Sequence, residues 1–551
     1  MRAVMPGRNH VMKKAILPVV GAALLAAGII IGNIIAMLSR PAVGLPQPAQ
    51  FMLPGNKLSE LVNLIDAAHV DTVDMDSIVE TIMPDVIEQL DPHSSYIPAK
   101  DLQAVNEELD GSFSGIGVQF NIQSDTIYVV DVISGGPSER AGMLPGDRII
   151  TVNDTSFVGK DVNIEKVFRK LRGKKGTTVK LGVVRRTSPE VLSFTITRDD
   201  VPVNSVDVAY MVTPEIGYVS VNKFAATTYE EFRTAVATLL HQGAMRLIVD
   251  LRGNSGGYLD AAVNMLNEFL SRNDLIVYIQ GKSQPYSESR ANGVGAFQDV
   301  ELAVLIDEFS GSASEIFAGA VQDNDRGLII GRRSFGKGLV QRQFPLGDGS
   351  EVRLTVARYY TPSGRCIQKP YTLGDSRDYM EDIEKRFLHG EFYSADSIHF
   401  PDSLKYQTVG GRIVYGGGGI MPDVFVPRDT TGFSTYYYTM LNKAIPYRFA
   451  LKYTDEHREE LKKYGDWESL DAYLESCNLY PQLMRFAEKE GVKPKGDEAR
   501  VSRQLLKNTV HAYIVRNILG DNGFFPLWNR DDVTVQRTVQ LLEMGSASSM
   551  K

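Results

Sequence analysis

At 551 residues, with 43% hydrophobic and 23% charged side chains, the chain is too long for one core and too apolar to be disordered, so several globular domains are expected. Its formal net charge of −8, without any long basic run, argues against a nucleic-acid partner, whose binder should carry a positive footprint. Eight scattered histidines form no HExxH pattern and no close cluster, so neither a zinc site nor any other metal or cofactor is expected.

The first predicted element is a membrane segment. Lys13 and Lys14 precede an uncharged apolar run from Ala15 to Leu38, and 24 residues exceed the roughly 20 that a spanning helix needs. The run is long for a cleaved signal and lacks a small-residue cleavage site, so an uncleaved anchor over residues 1–40 is favoured. The lysines stay inside, which puts everything after residue 40 on the extracytoplasmic side of the inner membrane. Residues 41–111 then read as a Pro- and Gly-bearing spacer followed by helices with apolar positions at Leu58, Leu61, Leu64 and Ile65, and at Ile78, Ile82, Val86, Ile87 and Leu90. They break at Asp91-Pro92.

From residue 112 to 198 the period changes to that of short strands, Gly117–Ile122, Thr126–Ile133, Asp147–Val152, Thr178–Val184 and Val191–Ile196, with one helix at Asn163–Leu171. Residues 199–430 alternate buried apolar strands (Ile216–Val221, Arg246–Asp250, Leu302–Ile306, Leu328–Ile330) with helices (Tyr229–His241, Leu259–Leu270, Ser314–Gln322), the signature of an α/β core. Residues 431–551 are helical and amphipathic, ending in a Ser-rich tail, and carry no functional signal. The expected fold class is therefore α/β and multidomain. Cys366 and Cys477, without CxxC spacing, are read as two free thiols, although an exported chain would permit them to pair.

Three segments carry chemistry. In Leu302–Ile316 a strand, a tight turn and a helix bring Ser312 to a helix start, where unpaired N–H groups and the helix dipole favour negative charge. Ser312-x-x-Glu315 is equally a capping box, and taken alone the segment reads first as a cap. In Gly331-Arg-Arg-Ser-Phe-Gly-Lys337-Gly-Leu-Val-Gln341 a lysine lies between two glycines, and Gln341, an even spacing away on a strand, would share its face and orient its amine. A lysine acts as a base only when neutral, and burial lowers its pKa in that direction. An exposed lysine in a Gly-rich turn is the blander alternative. In Asp250-Leu-Arg-Gly-Asn-Ser-Gly-Gly257 another strand–glycine turn–helix could donate a backbone N–H to an oxyanion beside that of Ala313.

Together GSASEI (311–316), GRRSFGKGLVQ (331–341), DLRGNSGGYL (250–259) and TVARYYTPSGRCIQ (355–368) resemble the carboxyl-terminal processing proteases, exported Ser-Lys peptidases, over residues 56–430. The resemblance implies Ser312 as nucleophile, Lys337 as base, Gln341 as the residue positioning it, and Gly257 and Ala313 as the oxyanion hole. Gly311, where the family often has alanine, and Arg332-Arg333-Ser334, which replace a commoner Glu-x-Thr, are departures that should not touch the proton-transfer groups but should bear on the site's electrostatics or its gating. Residues 112–198 resemble a PDZ domain, with Gly115-Ile116-Gly117-Val118 as its carboxylate-binding loop, so the expected partners are proteins with exposed apolar C-terminal tails. The sequence is compatible with a homo-oligomer or an adaptor protein and specifies neither. The competing readings are a non-catalytic, membrane-tethered PDZ scaffold or chaperone, and a tail-independent acyl hydrolase.

Overall fold

A computed structural model describes residues 57–545 apart from Ser124 and Thr187. The expected anchor at 15–38 and the spacer at 41–55 lie outside the described residues, among which no helix is long and apolar enough to cross a membrane. Residues 57–79 belong to one compact unit, which holds helix α1 (Lys57–Ala68) and the start of α2 (Met75–Glu88). Residues 80–545 belong to the other. Within the second unit the chain turns at Asp91-Pro92 into a short strand β1 (Ser95–Ile97) and a helix α3 (Ala99–Asp110).

Two β segments open the next region: β2 (Ser112–Gly115) and the edge strand β3 (Val118–Gln123). A sheet of order β3-β4-β5-β7-β8 follows, with β4 (Thr126–Val132), β5 (Arg148–Val152), β7 (Thr178–Val184) and β8 (Val191–Thr197), while β6 (Thr155–Ser156) pairs with β5. Ile127, Val129, Ile149, Leu181 and Val183 turn inward onto Val167 and Leu171 of the helix α4 (Ile164–Leu171). Asn163 caps that helix by accepting the Lys166 N–H, and the expected helix start coincides with it. Strand β9 (Asp199–Pro202) returns to pair with β2 and closes the region.

The α/β core is a six-stranded sheet whose strands, in spatial order, are β10 (Val206–Thr213), β11 (Ile216–Val221), β12 (Arg246–Asp250), β15 (Glu301–Ile306), β16 (Gly327–Gly331) and β19 (Val424–Phe425). All pairs except β10·β11 are parallel, and the near-continuous apolar runs of β12, β15 and β16 are what strands buried on both faces require. Leu247, Val249, Leu302, Val304 and Ile306 face the helices α5 (Thr228–His241), α6 (Leu259–Asn267) and α7 (Ala313–Asp323), while Ile248, Ala303, Leu305, Leu328 and Ile330 face the other side. Because β11, β12, β15 and β16 follow one another across the sheet, right-handed crossovers put all three helices on one face. The opposite face needs another cover. The chain's last helix supplies it: Val535, Leu541 and Leu542 of Val533–Glu543 pack against that second layer. The 431–551 region, expected as an extension with no assignable work, is thus in part the third layer of the core.

A second sheet was not anticipated. Strand β18 (Glu351–Tyr360) pairs with β1, with β13 (Leu275–Gln280) and with β17 (Leu339–Pro345), and β14 (Ser287–Arg290) adds to β13. Beyond it a helix, Ser376–Leu388, packs Tyr379 over Phe335 and His93. Cys366 and Cys477 are both free.

Candidate active site

Ligands of an open α/β sheet sit beyond the carboxyl ends of its strands, and here the loops after β12 and β15 meet at that edge. Ser312 caps α7 with φ 53° and ψ −112°, a left-handed backbone that costs a non-glycine residue roughly 1–3 kcal/mol. Such strain at a polar residue persists only where its surroundings hold it. Gly256 is one such neighbour: a Cβ built on it would come within 2.6 Å of Ser312 Cβ and 3.0 Å of Ala313 N, and its own φ is +110°. Asn254 is another, its carbonyl oxygen accepting both the Gly311 N–H (3.0 Å) and the Ser314 hydroxyl (2.8 Å).

Ser312, Ala313, Gly257, Lys337 and Gln341 line one cavity of about 660 Å³. The N–H groups of Gly257 and Ala313 have no acceptor among the described residues, so two donors are left for a ligand beside Ser312. Lys337 is partly buried. Burial pushes its amine below the ordinary lysine pKa, opposed by the Glu315 and Asp91 carboxylates. No hydrogen bond joins Lys337 Nζ to Ser312 Oγ among the described residues, but the two backbones are tied together. Glu315 Oε2 accepts the N–H of Ser312 (2.9 Å) and that of Lys337 (2.8 Å), while Oε1 accepts the Gly336 N–H (2.7 Å) and the Ser334 hydroxyl (2.5 Å). The Tyr359 hydroxyl bonds the carbonyl oxygens of both Ser312 (3.0 Å) and Lys337.

Glu315 therefore caps α7, as the Ser-x-x-Glu pattern suggested, and also locks Lys337 to Ser312. The departure at 332–334 reaches the site through Ser334, which shares the Glu315 carboxylate and, among the described residues, bonds neither proposed proton-transfer group. Complete burial pushes that carboxyl up to about 7, against the hydrogen bonds from Ser334, Lys337, Gly336 and Ser312. A glutamine at 315 would turn an NH₂ donor toward N–H donors, each stranded group costing about 1–3 kcal/mol. Glu315→Gln is expected to lower kcat at least about tenfold, as that energy implies, and to depress Tm. Steady-state kinetics with a thermal melt check it, and an unchanged kcat would remove Glu315 from the site.

Gln341 lines the cavity, but its amide donates to Thr355 Oγ1 (3.2 Å), not to Lys337. The even-spacing argument fails because Lys337 precedes β17, which opens at Leu339 and carries a bulge between Val340 and Gln341. Thr355 in turn donates to Asp91 Oδ1 (2.8 Å), and Asp91 accepts the His93 and Ser94 N–H groups. Sequence reading missed His93 altogether. It lines the same cavity, bonds Tyr379 through Nε2 (2.8 Å), and is pushed down to about 4 by burial and by the Lys337 charge, so it is neutral at physiological pH. The polar run Asp91–Ser95 around a helix-ending proline was the available signal.

The predicted tail loop lies elsewhere. Gly115 ends β2, Ile116 is buried in the small sheet's core, Gly117 has φ +76°, and Val118 opens the edge strand β3. The N–H groups of Ile116 and Gly117 have no acceptor among the described residues. A cavity of about 830 Å³ runs along β3 between Val118, Phe120 and Ile122 on one side and Ile164 and Phe168 of α4 on the other.

The family model of peptidase family S41 matches residues 215–377, that of the PDZ domain residues 114–206, and a family of unknown function (DUF8443) residues 436–520. Over 320 residues the chain is 32% identical to the carboxy-terminal processing protease CtpB of Bacillus subtilis (strain 168), covering 57% of this chain and 65% of that protein. It is 32% identical over 331 residues to the probable CtpA-like serine protease of Staphylococcus aureus (strain N315), covering 59% and 66%. The chain thus spans just under two thirds of the length of these relatives. Among solved structures, the photosystem II D1 C-terminal processing protease is 29% identical, covering 56% of this chain and 88% of its own, with a TM-score of 0.31.

Proposed function

We propose, from the premise that this chain belongs to the carboxyl-terminal processing proteases, with a PDZ domain preceding an S41 peptidase domain, that it is a serine endopeptidase. In this reading residues 112–198 select exposed apolar C-terminal tails, and Ser312 and Lys337 cleave the chains so captured. The observation that carries the reading is the partly buried Lys337 amine in one cavity with Ser312 and with the N–H groups of Gly257 and Ala313, which have no acceptor among the described residues.

A neutral Nζ removes the proton of Ser312 Oγ as the hydroxyl attacks the peptide carbonyl, and the resulting oxyanion accepts from Gly257 and Ala313 N–H. The lysinium gives its proton to the leaving amine as the C–N bond breaks. Water then attacks the ester, Nζ takes its proton, and that proton returns to Oγ as the acyl–oxygen bond opens. The contact between Nζ and Oγ closes in the substrate complex, where catalytic hydrogen bonds commonly tighten. Gln341 acts at one remove, through its hydrogen bond to Thr355 and that of Thr355 to Asp91. The tail adds as a strand to the free edge of β3, its carboxylate on the N–H groups of Ile116 and Gly117, and its apolar side chains against Phe120 and Phe168. The lysines before Ala15–Leu38 support placing the enzyme on the inner membrane with these domains outside the cytoplasm.

The test is incubation of the purified chain and its Ser312→Ala variant with an unfolded protein ending in apolar residues. The wild type is expected to shorten it and the variant to leave it intact. Amidating the substrate's C-terminus is expected to raise KM about tenfold, through loss of charge-assisted hydrogen bonds in the loop. Cleavage indifferent to the tail would favour a general acyl hydrolase, and binding without cleavage a scaffold.

A further inference from the structure

The loop that carries Gly257 is held from outside the peptidase domain. Arg252 opens it, and its guanidinium lies between two carboxylates. Asp250 at the end of β12 accepts from Nε (2.9 Å) and Nη2 (2.6 Å), and Asp532 accepts from Nη1 (2.8 Å). Asp532 stands at the other end of the chain, as the N-cap of the last helix. Its Oδ1 accepts the N–H groups of Thr534 (2.8 Å) and Val535 (2.9 Å), which leaves Oδ2 aimed at Arg252. Arg252 and Asp532 are each less than a quarter exposed. The same helix is the one that covers the second face of the core sheet, so Asp532 is carried on a packed element and not on a free surface.

We infer that Asp532 is a positioning residue for catalysis: through Arg252 it fixes the 251–257 loop, and with it the Gly257 oxyanion donor, so that the C-terminal helical region completes the active site in cis. From Arg252 the restraint runs through consecutive residues. Its N–H donates to Asp250 (2.9 Å), Gly253 N–H to Asp307 (2.9 Å), and Gly256 N–H to Asn254 Oδ1 (2.9 Å). The Asn254 carbonyl holds the Ser312 loop through Gly311, and Gly256 packs on Ser312 itself. An arginine held by Asp250 alone could pivot about that one carboxylate. Two carboxylates on different elements fix its plane, as a fork of five donors allows. Residues beyond 430 contribute none of the proposed reacting groups, so this tie is how they act on turnover.

The inference rests on the peptidase reading above, and the experiment separates the two. Asp532→Asn keeps an N-cap oxygen but turns an NH₂ toward Arg252. With a tail-bearing peptide it is expected to lower kcat about tenfold, less than the loss of an oxyanion donor because the Gly257 N–H is loosened and not removed, with KM and tail affinity within about twofold of wild type. Asp532→Glu, which restores the charge, should recover most of that loss. Hydrogen exchange at residues 251–257 should quicken in Asp532→Asn and not in Asp532→Glu. Wild-type kcat with unchanged exchange would overturn the inference, as would a fall confined to KM or an Asp532→Glu as impaired as the asparagine variant. Failure of both Asp532→Asn and Asp532→Ser to fold would assign the residue to stability and overturn it equally. A wild type that cleaves nothing would sink the peptidase reading, while the exchange comparison would still decide whether Asp532 holds the loop.

Discussion

Lys337→Ala is expected to reduce kcat by between about 10²- and 10⁴-fold, the usual contribution of a positioned general base, while the protein stays folded. The fold should survive because Glu315 and Tyr359 hold residue 337 through its backbone N–H and carbonyl, which alanine retains. Lys337→Arg should be as inactive, since a guanidinium cannot deprotonate in this range. A rival base lining the same cavity is His93. With its pKa at about 4 and its Nε2 bonded to Tyr379, it is a weak acceptor at neutral pH, so substantial turnover by Lys337→Ala would transfer the role to it.

The pH profile follows with a definite sign. The folded pKa of Lys337 lies below its unfolded value, so the neutral form that the proposed mechanism requires fills as pH rises through the folded pKa, and kcat/KM should climb and then level. Glu315 adds to the acid side, because its protonation near 7 must break one of the hydrogen bonds that tie Lys337 to Ser312. The two groups act oppositely on stability. The lysine binds fewer protons folded than unfolded, so its contribution grows with pH between those two values. Glu315, raised from its ordinary 4.5 to about 7, contributes stability below 4.5 that is lost as pH rises through about 7. A flat rate profile from mildly acid to alkaline pH would count against a lysine base.

Gly257→Ala should be the second most damaging of these substitutions. The glycine has φ +144°, and a Cβ there would lie well inside van der Waals contact with the Phe224 carbonyl oxygen. Phe224 anchors the loop by donating its N–H to Gly256 (2.9 Å) and accepting that of Tyr258 (2.7 Å), so the loop must move away. Displacing one oxyanion donor typically costs about 10²–10³ in kcat. The expected variant is folded, with a lowered Tm, near-normal tail affinity and kcat reduced on that scale. Full activity would place the oxyanion elsewhere. Because Gly257 does not line the cavity along β3, a loss of tail binding instead would show that the substitution disrupts more than its own loop.

Much of the local structure was legible because it is written in short periods. The strands of the small β region and the β12, β15 and β16 strands fall where apolar alternation or continuous runs put them, and the helix start at Ser312 follows from its capping pattern. The inference at Gln341 failed for an equally local reason: a two-residue period holds only inside a strand, and a bulge interrupts this one.

By itself the sequence determined most of the strands and helices, and it singled out a serine at a helix start and a lysine between glycines as candidates for chemistry. Only the tertiary structure decided what joins them. The shared Glu315 carboxylate, the Tyr359 hydroxyl from β18, His93 in the cavity lining and Asp91 bonded to Thr355 all come together through contacts between distant segments. So does the last helix, whose apolar stripe announced that it would be buried without saying against what. A period in sequence records which face of an element avoids water. The partner of that face is set by the order in which strands enter the sheet, and here that order left one side of the sheet open for residues 533–543 to close.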